Sequence, residues 1–341
     1  MSLVWLLPIT FAVSLALTAF LRRYALSRNL MDIPNARSSH SMPTPRGGGV
    51  AIVVTFLLAL AMSGLAGYVP VNLCLALGGA GVMVAIVGFM DDHGHIAARW
   101  RLLAHFAAAA WLLYWLGGMP RLSLFGISIE PGVVGSTFGL LYLVWMLNLY
   151  NFMDGIDGIA SVQAITVSLG GCLLFVLTDH AAASWAPLLL ALCVAGFLWW
   201  NFPPARIFMG DAGSGFLGVV LGGLSLYAAS LDSQLFWSWV ILMGVFVVDA
   251  TYTLLRRLLR GDKVYEAHRS HAYQYASRHF GKHLPVTVGV LLINLCWLLP
   301  IAVASTLFDL GGAGLLIAYA PLVALALKFH AGEREADGRE G

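Results

Sequence analysis

Charge is what this chain has least of. Lys, Arg, Asp and Glu make up 11% of 341 residues, where a soluble domain carries roughly 25%. That shortage excludes an ordinary solvated globular domain, and no nucleic-acid partner is expected. Cysteine is scarce as well. Cys74, Cys172, Cys193 and Cys296 all lie inside apolar runs, with no CxxC and no metal-ligand spacing. They read as small buried side chains. Internal repeats and low-complexity segments are also absent.

What fills the chain instead is apolar sequence. Hydrophobic residues reach 60% and the mean hydropathy is +0.83. A membrane span needs about 20 mostly apolar residues. Eleven such runs are predicted, near 3–21, 48–67, 71–90, 101–117, 133–151, 159–177, 184–200, 213–230, 235–255, 286–306 and 311–328. The fold class that follows is an all-α polytopic membrane protein with a single integral-membrane domain over residues 1–330. Residues 331–341 read as a mobile charged cytoplasmic tail. The first run is not read as a secretory signal, because Arg22 and Arg23 follow it and nothing basic precedes it. Residues 121–132, RLSLFGISIEPG, alternate apolar and polar around a glycine and predict a short hairpin.

The basic residues orient the chain. In an eleven-span arrangement, every one of the 19 Lys and Arg residues except Arg121 falls on one face. The positive-inside rule then places the N-terminus outside and the C-terminus in the cytoplasm.

That same face collects the unusual polar residues in four loops. The first reads MDIPNARSSHSMPTPRGGG, whose prolines and glycines forbid helix and open backbone N–H groups. The second, GFMDDHGH, puts Asp91 and Asp92 at a span's end. The third is NLYNFMDGIDGIA. Its Asn148, Asn151, Asp154 and Asp157, three residues apart, drift slowly round one face of a helix. The fourth, NFPPARIFMGDAGSGFLG, places Asp211 between Gly210 and Gly213 at a span's entrance. A polar helix end satisfied by water and caps would explain any one of these. Together they bring several carboxylates to one side of the membrane, where like charges repel. A divalent cation resolves that, and all-oxygen ligands suit Mg²⁺, with Mn²⁺ as the substitute. Arg and Lys in the same loops suit phosphate. The residues alone therefore predict a metal–diphosphate site at the inner membrane surface, with one lipid-soluble partner.

Other groups are read more loosely. His93 and His95 beside the acidic pair resemble a zinc set only weakly, since catalytic zinc usually takes three protein ligands with His dominant. His268 and His271, alone, would be solvated loop residues. Asp249 inside a span is either functional or paired with a basic residue of a neighbouring helix.

Five ordered motifs extend the reading. DIPNARSSHSMPTPRGGG, GFMDD with RLLAH, NLYNFMDGIDGIA, IFMGDAGSGFLG and HRSHAYQ together resemble the polyprenyl-phosphate N-acetylhexosamine-1-phosphate transferases, the WecA/MraY-type family. The likeness is greatest to the WbpL-like branch that starts O-antigen synthesis. The MraY branch, for peptidoglycan, has a histidine-rich motif and a lysine soon after its acidic pair, whereas the segments here read HRSHAY and DDHGH.

The resemblance implies a bacterial inner-membrane enzyme with a cytoplasmic-face active site. Undecaprenyl phosphate would attack a UDP-N-acetylhexosamine and release UMP. It implies Asp211 and Asn151 as Mg²⁺ ligands, and Asn148 and Asp157 as nucleotide contacts. It implies Asp91 and Asp92 at the phosphate acceptor, and Arg101 and Arg269 near the diphosphate. His40, Arg46, His268 and His271 match substrate-binding motif positions, and His268, His271 and Tyr273 are expected to face the sugar. A homodimer is compatible with it. The rivals are an MraY-like transferase, a transporter of phosphorylated solutes and a transferase using CDP-alcohols, whose DGxxAR run is absent.

Overall fold

The computed structural model describes residues 3–34, 39, 42–94, 96–125, 127–129, 132–263 and 268–334. His40 and His95 lie outside the described residues. Helices occupy each of the eleven apolar segments. They are α1 (Leu6–Ser27), α2 (Gly49–Leu65), α3 (Val71–His93), α4 (Ala98–Leu116), α5 (Val133–Phe152), α6 (Ile159–Leu177), α7 (Trp185–Asn201), α8 (Asp211–Leu231), α9 (Ser233–Leu242) and α10 (Gly244–Leu259). After the short α11 (Ala272–Phe280) come α12 (Leu284–Ile293), α13 (Leu299–Leu307) and α14 (Gly311–Lys328). Among the described residues, eight helices are long and apolar enough to cross a membrane, or nine if the α9–α10 pair is one span.

Two of the expected spans are not simple rods. The run 235–255 is broken, with α9 and α10 meeting at 73°. Beyond Gly244 the helix carries Asp249, Arg256 and Arg257. Charged side chains are costly against lipid, so the bend turns a polar helix away from the line of α9. The run 286–306 is interrupted by a π-turn over Asn294–Leu298, ahead of Pro300, which has no N–H to give. There Asn294 reaches Gln163 Oε1 at 2.8 Å and Thr166 Oγ1 at 2.7 Å on α6. A hydrogen-bonded polar cluster thus links two apolar helices.

The predicted hairpin is present, with β3 (Leu122–Leu124) antiparallel to β4 (Ile127–Ile129). The C-terminal segment differs from expectation. Residues 331–334 are docked rather than loose: Ala331 is fully buried, Arg256 donates to its carbonyl at 3.1 Å, and Arg334 meets Asp262 at 2.7 Å. Residues 335–341 lie outside the described residues.

Helix α8 is the axis of the bundle, with 83% of its apolar window buried. Small residues let its neighbours approach at backbone distance. A Cβ on Gly218 would stand 2.6 Å from the Met146 carbonyl of α5, and one on Gly88 of α3 would stand 2.6 Å from the Asp211 carbonyl. The ends of α3, α5 and α8 are therefore fixed against each other, and the polar loops meet around them.

Candidate active site

The site begins with the two helix ends that Gly88 brings together. Asp91 and Asp92 occupy the last turn of α3 and, as neighbours, point about 100° apart. Asp92 turns to the N-terminus of α8. Its oxygens accept from the amides of Asp211 at 3.0 Å and Ala212 at 3.4 Å. An anion there satisfies orphan N–H groups and meets the positive end of the helix dipole. Gly210 makes the approach feasible, because its φ of +81° suits glycine and a Cβ would sit 2.6 Å from Asp92 Oδ2. Asp91 turns the other way, accepting from the Ile96 amide at 3.0 Å and from Arg101 in the first turn of α4.

Arg46 is delivered by a short backbone ladder. β1 (Met31–Asp32) pairs with β2 (Thr44–Pro45). The Phe208 amide donates to the Pro45 carbonyl at 2.8 Å, and the Gly48 amide donates to the Phe208 carbonyl at 2.9 Å. Arg46 Nη2 then lies 2.7 Å from Asp92 Oδ1 and 2.9 Å from Asp211 Oδ1. Burial works against its charge, and the carboxylates of Asp92 and Asp211 outweigh it, so its pKa is raised. Arg101 Nη1 stands 4.0 Å from the other Asp211 oxygen. Asp211 is thus flanked by two guanidinium groups.

Asp211 also separates two cavities. One, of about 300 Å³, is polar, with Arg46, Asn151, Asp154, Asp157, Gln274 and His283 in its wall. The other, of about 40 Å³, combines Asp91, Arg101, His105 and Asn148 with apolar side chains such as Val84 and Leu147. Asp211 and Asn151 line both. The predicted ladder of four polar residues on one helix face is only half realised, because α5 ends at Phe152. Asn148 and Asn151 stay on the helix, while Asp154 and Asp157 leave it. Asn148 therefore faces the smaller cavity, 3.4 Å from His105 Nδ1, rather than the side of Asp157. Asn151 donates to Ser214 at 2.9 Å.

Asp157 is held from several directions. Its Oδ2 accepts from the Ala205 amide at 2.9 Å, and its Oδ1 lies 3.0 Å from His283 Nδ1. Asp154 lies deep in the same cavity wall. Burial, and then the negative charge of Asp211, push its carboxyl well above the usual carboxylate range. A divalent cation between Asp154, Asp211 and Asn151 would relieve that repulsion with one or two carboxylates, as Mg²⁺ prefers. Among the described residues, no three His, Cys, Asp or Glu side chains form a metal-binding group; His95, which was weighed with His93 as a zinc pair, lies outside the described residues.

The segment from His268 to Tyr273 does not face the cavities as expected. His271 is buried and its Nδ1 lies 3.2 Å from Asp249. Asp249 also accepts from the amides of Ala272 and Tyr273, each at 2.9 Å. Asp249 is thus the anion at the start of α11, which answers the question its sequence position left open. Tyr273 is buried, with its hydroxyl on the Phe152 carbonyl at 3.0 Å. Neither lines the walls of the two cavities. His268 and Arg269 likewise stand outside the walls of both cavities, and α11 contributes Gln274 instead. His105, Gln274 and His283 were not singled out in the sequence. His105, in RLLAH, and Gln274, the last residue of HRSHAYQ, stood inside motifs; His283 did not.

Comparison with known proteins points to one family. The family model for glycosyl transferase family 4 matches residues 74–229. The chain is 28% identical over 275 residues to a probable undecaprenyl-phosphate N-acetylglucosaminyl 1-phosphate transferase of Bacillus subtilis, covering 76% of the chain and 73% of the relative. It is 29% identical over 352 residues to the decaprenyl-phosphate N-acetylglucosaminephosphotransferase of Mycolicibacterium smegmatis, covering 91% and 84%. It is 28% identical over 282 residues to a phospho-N-acetylmuramoyl-pentapeptide-transferase of Streptococcus pneumoniae, covering 75% and 82%. These relatives support the WecA/MraY-type resemblance and do not single out the O-antigen-initiating branch. The matched stretch carries Asp91, Asp92, Arg101, the Asn148–Asp157 segment and Asp211.

Proposed function

We propose that the protein transfers an N-acetylhexosamine-1-phosphate from a UDP-sugar to undecaprenyl phosphate. The products are undecaprenyl-diphospho-sugar and UMP, and the reaction begins a surface polysaccharide such as O-antigen. One observation carries this reading: Asp211 and Asn151 stand between a polar cavity of about 300 Å³ and a small, partly apolar one that holds Arg101 and Asp91. A water-soluble diphosphate suits the first, and the phosphate end of a lipid suits the second. The family and the names of its relatives support the same pairing.

In this reading an acceptor phosphate oxygen forms a bond to the sugar-bearing phosphorus, and the bond from that phosphorus to the bridging oxygen breaks. A phosphate monoester is mostly dianionic at pH 7, with a second pKa near 6, so a strong base is not required. The barrier is the approach of two anions. Arg46 and Arg101 face it with fixed positive charge, where preorganised electrostatics counts most. Arg101 and Asp91 orient the acceptor phosphate. Asp211, Asn151 and Asp154 would hold Mg²⁺, which neutralises diphosphate charge when bound. Asp157 orients the nucleotide. Asp92 acts through α8, holding Asp211 in register. The basic loops around this end support a position at the cytoplasmic face of a bacterial inner membrane.

Release of UMP by purified protein, given undecaprenyl phosphate and a panel of UDP-N-acetylhexosamines, tests the reading. Turnover with a UDP-N-acetylmuramoyl-pentapeptide alone would move it to peptidoglycan. No UMP with any donor would remove the transferase reading.

A further inference from the structure

His283 belongs to none of the motifs, yet it stands where two cavities meet. A third cavity, of about 430 Å³, lies beside the 300 Å³ one, and both are lined by Ser39, Asp157, Phe208 and His283. His283 immediately precedes α12 and uses both ring nitrogens. Its Nε2 lies 2.9 Å from the Ser39 carbonyl. A carbonyl only accepts, so Nε2 carries a proton. Its Nδ1 lies 3.0 Å from Asp157 Oδ1 and 3.3 Å from the Asp157 amide nitrogen. With a proton on Nδ1 the ring is an imidazolium that donates to the carboxylate in a charge-assisted hydrogen bond; without one, Nδ1 accepts the Asp157 N–H. One turn further along α12, Thr287 donates to the Asp157 carbonyl at 2.7 Å. The start of α12 therefore grips Asp157 by side chain and backbone together, and ties it to the Ser39 segment.

We propose that His283 is the positioning residue that sets the Asp157 carboxylate for the donor nucleotide. This rests on the UDP-sugar reading of the site. The Asp157 carboxylate is almost enclosed, with 11% of its side chain exposed, and its second oxygen is committed to the Ala205 amide. His283 thus fixes the remaining direction in which Asp157 meets a ligand. Losing it lets that carboxylate rotate without touching Asp211, Arg46 or Arg101.

Three variants separate its two contacts. An Asn amide nitrogen reaches the place of Nδ1 and a Gln amide nitrogen that of Nε2. His283→Asn keeps a donor for Asp157, His283→Gln keeps one only for Ser39, and His283→Leu keeps neither. Steady-state kinetics in both substrates should show a donor KM raised about tenfold or more in His283→Gln and His283→Leu. His283→Asn should stay within about threefold of wild type. The kcat and the undecaprenyl phosphate KM should hold in all three. Titration of UDP into the same proteins should reproduce that order without turnover. Equal losses in all three variants, a fall in kcat alone, or no change in donor KM would overturn the role of His283. Wild-type protein that releases no UMP but binds UDP in the predicted order would instead count against the transfer reading alone.

Discussion

Asp92 accepts the amide of Asp211 at 3.0 Å, across 119 positions of sequence, and that of Ala212 at 3.4 Å. The acidic pair therefore divides its work. Asp92 anchors the helix that presents Asp211, while Asp91 faces Arg101 and the smaller cavity. Asp92→Ala should lower thermal stability in detergent, because two half-buried amides lose their acceptor and Arg46 loses one of its two carboxylates. A loss of about 1–3 kcal/mol is expected for such an orphaned group. Asp91→Asn should lower turnover while the protein melts near the wild-type temperature. Equal melting of wild type and Asp92→Ala would contradict the division.

Arg46 bridges Asp92 and Asp211 through one nitrogen. Arg46→Ala leaves two facing carboxylates without that cation and removes positive charge from the diphosphate side. Turnover at saturating substrates should fall roughly 10²- to 10³-fold, the range seen when one preorganised stabilising group is removed. Arg46→Lys should recover part of it. A near-wild-type rate in Arg46→Ala would place the charge compensation elsewhere.

Two histidines give opposite pH slopes. Burial, followed by the neighbouring His271 and Arg257, holds His268 down at about 3. An unfolded histidine titrates near 6.5, so below about pH 6.5 the unfolded chain takes up a proton that the folded one refuses. Stability falls as the pH drops from there towards 3. His268→Gln should flatten the acid limb of a melting-temperature profile. For His283, burial opposes the charge and pairing with Asp157 outweighs it, raising the pKa. That contribution is complete below about 6.5 and fades as the pH climbs through the higher folded value. His283→Leu should therefore flatten the alkaline limb. If each substitution altered the other limb, the pairing scheme would be wrong.

Orientation can be read with single cysteines in a background lacking the four native ones. Ala66 follows α2 and Ala182 precedes α7, both exposed at the end away from Asp211; Lys282 is exposed beside the cavities. An impermeant thiol reagent should label Ala66→Cys and Ala182→Cys in intact cells, and Lys282→Cys only after permeabilisation. Labelling of Lys282→Cys from outside would invert the topology.

Much of this was legible in the sequence, because hydropathy fixes where apolar helices run and because the motif loops carry their own chemistry. Asp91, Arg101, Asn151 and Asp211, each from a motif loop, line one cavity. What stayed hidden depends on contacts between distant segments. The bend at Gly244 reflects polar residues placed after a glycine, a pattern that also fits one continuous span. Nothing near His271 or Tyr273 foretells that Asp249 and the Phe152 carbonyl would engage them. Asp92 looks like Asp91 until α8 is set against α3. His283 has no neighbouring signal, since its partners Ser39 and Asp157 lie 244 and 126 positions away.

The account turns on Asp211 as the charged group shared by the two cavities. The direct measurement is the rate of UMP release by purified Asp211→Asn, with undecaprenyl phosphate, the accepted UDP-sugar and saturating Mg²⁺. The account predicts a protein that purifies and melts like wild type yet turns over at well below a tenth of its rate. A variant retaining more than about a tenth, a barrier change under roughly 1.4 kcal/mol, would contradict it.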